Sequence, residues 1–231
     1  MRPRISPSSA AKLTTMSVTP EDVMVVMNGL PGAMGKEVAA ACLRRGFKLA
    51  PVALSGPSND DVTIQVCAET DDPECRAFGP PVAVRLVDGT DAASAAAAAA
   101  DIKAAAAAAG CGSNVVCIDY THPSAVNSNG EWYASHGFSF VMGTTGGDRE
   151  ALEARTRDAG VFAVIAPNMA KQIVALQATL EGMAAKFPGA FEGYTLTVQE
   201  SHQATKADTS GTAKVRVVID ETNERETIHT E

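Results

Sequence analysis

Two stretches of the chain hold residue types able to do chemistry at a useful spacing. The segment from Glu200 to Ala213 gathers His202, Gln203, Lys206, Ser210, Gly211 and Thr212 within fourteen positions, directly after an expected strand. Loops held at strand ends are where catalytic groups tend to sit. His202 exchanges a proton near neutral pH, Lys206 offers a fixed positive charge or a second donor, and Ser210, Gly211 and Thr212 supply a hydroxyl and backbone amides to a carboxylate if a helix starts there. The plain alternative is a solvated polar loop with a capping serine.

The second stretch is Gly29-Leu30-Pro31-Gly32-Ala33-Met34-Gly35, which follows an apolar run and precedes a helical one. In that context glycines let backbone approach a pyrophosphate at a helix amino terminus. The spacing is GxxGxxG, and a tight turn needing positive φ is the alternative reading. About twenty residues further on, a site preferring NAD usually carries an acid for the ribose hydroxyls. This chain has Leu54-Ser55-Gly56 there. With no carboxylate to repel a 2′-phosphate, the expected cofactor is NADPH, with NADH also open.

These residues need a scaffold, and the pattern describes one. Asp22 to Asn28 is a strand buried on both faces, Lys36 to Arg45 a helix and Lys48 to Leu54 a second strand, the order that builds parallel sheet. Val62 to Cys67 and Val82 to Val87 are expected strands, and the alanine block Ala92 to Ala109 a helix. The alternation then repeats: strand Val115 to Asp119, helix Pro123 to His136, strand Phe138 to Met142, helix Asp148 to Ala159, strand Val161 to Ala166 and a long helix Asn168 to Lys186. The fold class is α/β, a doubly wound parallel Rossmann-type sheet, with Tyr194 to Glu200 a strand beginning a second, partial α+β unit.

Composition narrows the function classes. A net charge of −8 gives no general attraction to nucleic acid or anionic lipid. The five cysteines, Cys42, Cys67, Cys75, Cys111 and Cys117, are never spaced as CxxC and read as buried, reduced thiols. The alanine block is too weakly apolar, and too interrupted by Asp101 and Lys103, to span a membrane. Residues 1–21 hold Arg2, Arg4 and Lys12 with no acid before Glu21, the bias of a transit segment or a disordered lead. His122 and His136 read as surface or capping histidines, His229 as part of a polar tail, and Trp132 with Tyr133 as packing. Asp119 and Asp208 lie in separate segments with nothing to bring them together.

The glycine turn, Gly143-Thr144-Thr145-Gly146, Ala166-Pro167-Asn168-Met169 and the E-S-H-Q-x-x-K-x-D-x-S-G-T-A loop, in this order, resemble dihydrodipicolinate reductase. The His202-Gln203 pair resembles its plant-type branch. The resemblance covers roughly Val23 to Ala213 and implies NAD(P)H-dependent reduction of 4-hydroxy-tetrahydrodipicolinate to tetrahydrodipicolinate in the diaminopimelate route to lysine. It implies His202 as proton donor or acceptor and Lys206 as a second donor that holds the anion, with Gln203, Ser210, Gly211, Thr212 and Thr145 on the cyclic dicarboxylate. The turn Gly29 to Gly35, Ser55, Gly143 to Thr145 and Ala166 to Met169 then hold the nicotinamide cofactor, and no metal is called for.

On this reading residues 1–21 are a lead segment, 22–167 the dinucleotide-binding domain and 168–231 a substrate domain. After Ala213 the chain departs from the family: Lys214 to Ile219 is β-branched and Asp220 to Glu231 polar, too little for the family's open sheet. The expected substrate domain is therefore partial, and the family's homotetramer, built through that sheet, is expected only so far as the sheet is completed. With the transit-like bias of residues 1–21 and the plant-type resemblance, the expected location is the plastid, otherwise the cytoplasm. The alternative function is a nucleotide-binding fragment of the same reductase without turnover.

Overall fold

The computed structural model describes residues 18–68, 80–194, 198–200 and 228–230. β1 (Met24–Asn28) is the strand that its apolar run requires. Met24 and Val26 face one core and Val25 and Met27 the other, and all four are at most 3% exposed. Burying one such side chain contributes about 1.5–3 kcal/mol, so this strand anchors both layers.

β1 pairs in parallel with β2 (Lys48–Leu49) on one side and β6 (Val115–Asp119) on the other. β7 (Ser139–Met142) and β8 (Ala163–Ile165) continue the sheet, giving the order β2-β1-β6-β7-β8. A second sheet has β3 (Val52–Ser55) parallel to β5 (Val82–Asp88), with β4 (Thr63–Val66) antiparallel on the far side of β5.

The expected single strand from Lys48 to Leu54 is thus two strands, and Pro51 is the reason. It has no N–H to continue the ladder. The Ala50 N–H still reaches the Val25 carbonyl at 2.8 Å, and beyond Pro51 the chain resumes beside β5. The Asn28 side chain bridges the break, its Oδ1 accepting from the Leu54 N–H at 2.8 Å. Taken through that join the strands run β4-β5-β3/β2-β1-β6-β7-β8. Chain order reverses between β1 and β6, the place where open α/β sheets bind ligands at the strands' carboxyl ends.

α1 (Ala33–Arg44) covers the face of Val25 and Met27 with Ala39 and Cys42. α2 (Ala92–Ala108) and α3 (Val126–His136) cover the other face. Ala95, Ala98, Ala99, Ile102 and Ala106 recur at helical spacing, and with these small side chains α2 seats against β3 and β5. Trp132 is buried, donates from Nε1 to the Ala95 carbonyl at 3.0 Å and packs on Tyr133 and Phe138. α4 (Arg149–Ala159) rests on α3 through buried Leu152, and Arg155 makes a two-point pair with Glu131 at 2.6 and 2.9 Å.

Several boundaries move, among them the starts of β1 at Met24, α1 at Ala33 and β8 at Ala163, and three more. The helix expected from Pro123 opens as a 3-10 turn over Pro123–Ala125, where exposed His122 accepts from the Ser124 N–H. α5 is Lys171–Lys186 and does not start at Asn168, because Asn168 Oδ1 accepts from the Ala170 N–H and closes a local turn that competes with helix. Within Tyr194 to Glu200 the described strand is β9 (Val198–Glu200), and Tyr194 lies outside it, 76% exposed. β9 pairs in parallel with β10 (Ile228–Thr230), which includes His229.

Cys42, Cys111 and Cys117 are buried free thiols, whereas Cys67 is only half-buried because it lies just past the end of β4. Cys75 lies outside the described residues. Among the described residues no helix is long and apolar enough to cross a membrane.

Candidate functional site

The turn after β1 is built so that backbone meets backbone. Gly29 has φ +111°, and a side chain there would run into the Tyr120 carbonyl. A Cβ on Gly32 or on Gly35 would come within 2.8 Å of the Gly29 oxygen. The three glycines therefore let the turn close on itself, and part of their need is packing. Leu30 is 1% exposed and its carbonyl accepts from Ser55 Oγ at 3.0 Å, so its side chain belongs to the core. Gly35 is buried, while Gly32, Ala33 and Met34 face outward.

What the turn leaves open is the start of α1. The first amides of any helix have no partner within it. At α2 and α4 this is met by Asp91 accepting from Ser94 N–H and Asp148 accepting from Ala151 N–H. α1, whose N-cap is Gly32, has no side-chain cap and no acid in its first turn, as is also true of α3 and of the later helix Lys171–Lys186. An uncapped helix start with no negative charge, reached over bare glycines, fits a phosphate group.

The remaining cofactor-facing candidates come to the same edge. Ser55 ends β3 and ties to the turn through Leu30; its hydroxyl also accepts from Asn59 Nδ2 at 3.0 Å. Asp88, in register with Ser55 on β5, accepts from the N–H and hydroxyl of Thr90, and Asp60 accepts from the Asp88 N–H. Gly143, Thr144 and Thr145 follow β7, with a Cβ on Gly143 meeting the ring of Tyr120. Ala166, Pro167, Asn168 and Met169 follow β8, half-buried, with the Ala166 N–H held by the Met142 carbonyl at 3.1 Å. The three turns after β1, β7 and β8 thus stand at the carboxyl ends of parallel strands in one sheet. His202, Gln203, Lys206, Ser210, Gly211 and Thr212, like Asp208, lie outside the described residues.

The structure also assembles a buried polar group that the spacing did not reveal. Asn28 and Asp119 are register partners at the ends of β1 and β6, and both are fully buried. Asp119 accepts from the hydroxyls of Tyr133 (2.6 Å), Thr121 (2.7 Å) and Thr144 (2.7 Å), from Asn129 Nδ2 (2.9 Å) and from the Thr121 N–H (3.0 Å). Tyr133 OH in turn accepts from Asn28 Nδ2 at 2.8 Å. Burial first, and then the Asp119 charge, push the Tyr133 phenol and the Cys117 thiol well above their ordinary values. Asp119 is thus the centre of the site's support, and Tyr133 is polar structure as well as packing. The available signal was two apolar strands each ending in a polar residue.

Comparison with known proteins agrees with this geometry. The family model "Dihydrodipicolinate reductase, N-terminus" matches residues 23–169. A probable 4-hydroxy-tetrahydrodipicolinate reductase 1, chloroplastic, of Oryza sativa subsp. japonica is 41% identical over 194 residues, 82% of this chain and 49% of that protein. The 4-hydroxy-tetrahydrodipicolinate reductase 1, chloroplastic, of Arabidopsis thaliana is 39% identical over 192 residues, 83% of this chain and 49% of that one. A 4-hydroxy-tetrahydrodipicolinate reductase of Natronomonas pharaonis is 29% identical over 203 residues, covering 87% and 66%. The chain spans about half the length of the plant relatives it matches.

Proposed function

The chain belongs to the dihydrodipicolinate reductase family, and from that premise we propose that it reduces 4-hydroxy-tetrahydrodipicolinate, or the dihydrodipicolinate formed from it by loss of water, in the diaminopimelate route to lysine. The observation that carries the reading is the uncapped, glycine-lined start of α1 at the reversal point between β1 and β6, in the same sheet as the Gly143 to Thr145 turn after β7, with Tyr120 lying against both Gly29 and Gly143. When bound, a reduced nicotinamide supplies the hydride. The α1 amides hold the pyrophosphate, and the turns after β7 and β8 orient the nicotinamide end.

His202 exchanges the proton that must accompany the hydride. Lys206, Gln203 and the Ser210-Gly211-Thr212 segment hold the substrate carboxylates. Residues 168–231 are assigned as the partial substrate domain. NADPH is favoured over NADH because Ser55, not a carboxylate, ends β3. The chloroplastic naming of the plant relatives supports a plastid location, and a homotetramer belongs to the proposal only so far as the family's second sheet is completed.

The test is oxidation of NADPH by the purified chain with the freshly made condensation product of pyruvate and aspartate semialdehyde. His202→Ala is expected to lower the rate about 10²–10⁴-fold, and an unchanged rate would overturn its assignment. Nucleotide binding without substrate-dependent oxidation, at any protein concentration, would reduce the chain to a nucleotide-binding unit.

A further inference from the structure

We propose that Asp119 is a positioning residue that sets the spacing between the two cofactor-facing turns, holding Thr144 on one side and, through Tyr133 and Asn28, the Gly29 turn on the other. This rests on the reading of the sheet edge as a dinucleotide site.

Its carboxylate receives five hydrogen bonds, three on Oδ1 and two on Oδ2. A carboxylate offers about four lone-pair positions, so Asp119 has no acceptor left for a nucleotide and is fully buried from one. What it holds matters more. Thr144 follows β7, Asn129 and Tyr133 lie on α3, and Tyr133 passes the connection to Asn28, the residue before Gly29. Asn28 then takes the Leu54 N–H of β3. One chain of hydrogen bonds therefore runs from the turn after β7 to the strand end that carries Ser55.

Buried polar networks are not needed for stability alone, since packed apolar side chains serve as well. A fully satisfied network fixes one arrangement of the elements it joins. Here those elements are the ones that must keep their separation for a rigid dinucleotide to bridge them. Thr144 also accepts from the Thr121 N–H at 2.8 Å, so its hydroxyl is committed on both sides. Asp119→Asn places an NH2 among five donors, and Tyr133→Phe cuts the link between Asp119 and Asn28 without touching either turn.

The experiment is calorimetric titration of the full chain with NADPH and with NADH, well below each variant's unfolding temperature. Asp119→Asn and Tyr133→Phe are each expected to raise the NADPH dissociation constant about tenfold. The double variant should lose little more than the larger single loss, because both changes cut one chain. Ile102→Val, in the α2 core away from the network, loses stability but keeps affinity, and so separates positioning from general destabilisation. Should Asp119→Asn fail to fold, Tyr133→Phe decides, since a wholly buried residue reaches a nucleotide only through its neighbours. Wild-type affinity in folded Tyr133→Phe, or an equal loss in Ile102→Val, overturns the proposal. A wild-type chain that binds neither nucleotide overturns the dinucleotide reading and this inference with it.

Discussion

The carbonyl oxygen of Tyr120 occupies the space that a side chain on Gly29 would need, and Gly29 sits at φ +111°. Gly29→Ala therefore meets both a left-handed backbone penalty and a steric one, together about 2–5 kcal/mol. Gly56→Ala is the contrast, because its Cβ would meet nothing within 4 Å and its φ of −80° suits any residue. Urea unfolding should show a large fall in midpoint for the first and none for the second. Equal midpoints would mean that the turn relaxes around the methyl group.

Ser55 spends its hydroxyl inside the protein, donating to the Leu30 carbonyl and accepting from Asn59. Ser55→Ala removes both hydrogen bonds, of which the one to Leu30, about 1 kcal/mol, ties down the glycine turn. It is expected to weaken NADPH and NADH binding alike, each about fivefold, with their ratio unchanged. A change in the ratio, measured by paired titrations, would show instead that the hydroxyl reaches the adenosine ribose.

The parts of this fold that could be read from the chain are those whose causes are local. β6 ends at Asp119 and β1 at Asn28 as expected, because continuous apolar runs bounded by polar residues leave little choice of register. The glycine turn was legible for the same reason. Pro51 and Asn168 shifted boundaries through single backbone groups, effects that hydrophobic periodicity does not register. The support of the site was not legible, because Asn28 and Tyr133 are 105 positions apart and Tyr133 and Asp119 are 14 apart. Only the strand order brings them together. The loop from His202 to Thr212 was read from its residue types and from its resemblance, and it lies outside the described residues.

The alanine block is a packing device as well as a good helix former. Ala98 is fully buried, and Ala95 and Ala99 beside it are nearly so. Ala98→Leu adds volume where the α2 core has no room and should cost about 1–3 kcal/mol. Ala97→Leu, on the exposed side of the same helix, should be nearly neutral. Thermal unfolding of the two variants side by side checks this, and equal midpoints would mean that α2 is free to move off the sheet.

His136 should make the fold sensitive to mild acid. Its ring lies 5.3 Å from that of Trp132 and 6.1 Å from that of Phe138, with the Lys103 ammonium 5.5 Å over the Phe138 ring. Burial first, and then the Lys103 charge, lower its pKa below the ordinary 6.5. The folded chain then binds this proton less readily than the unfolded chain. Stability should fall as pH drops below about 6.5 and level off once the folded-state pKa is passed. His136→Gln removes the titrating group, so the wild type should lose ground to it between about pH 6.5 and pH 5. Lys103→Met should shrink the same loss by removing the second cause. Melting temperatures of the three proteins across that window test the assignment, and a wild-type-to-His136→Gln difference that is flat with pH would remove His136 from it.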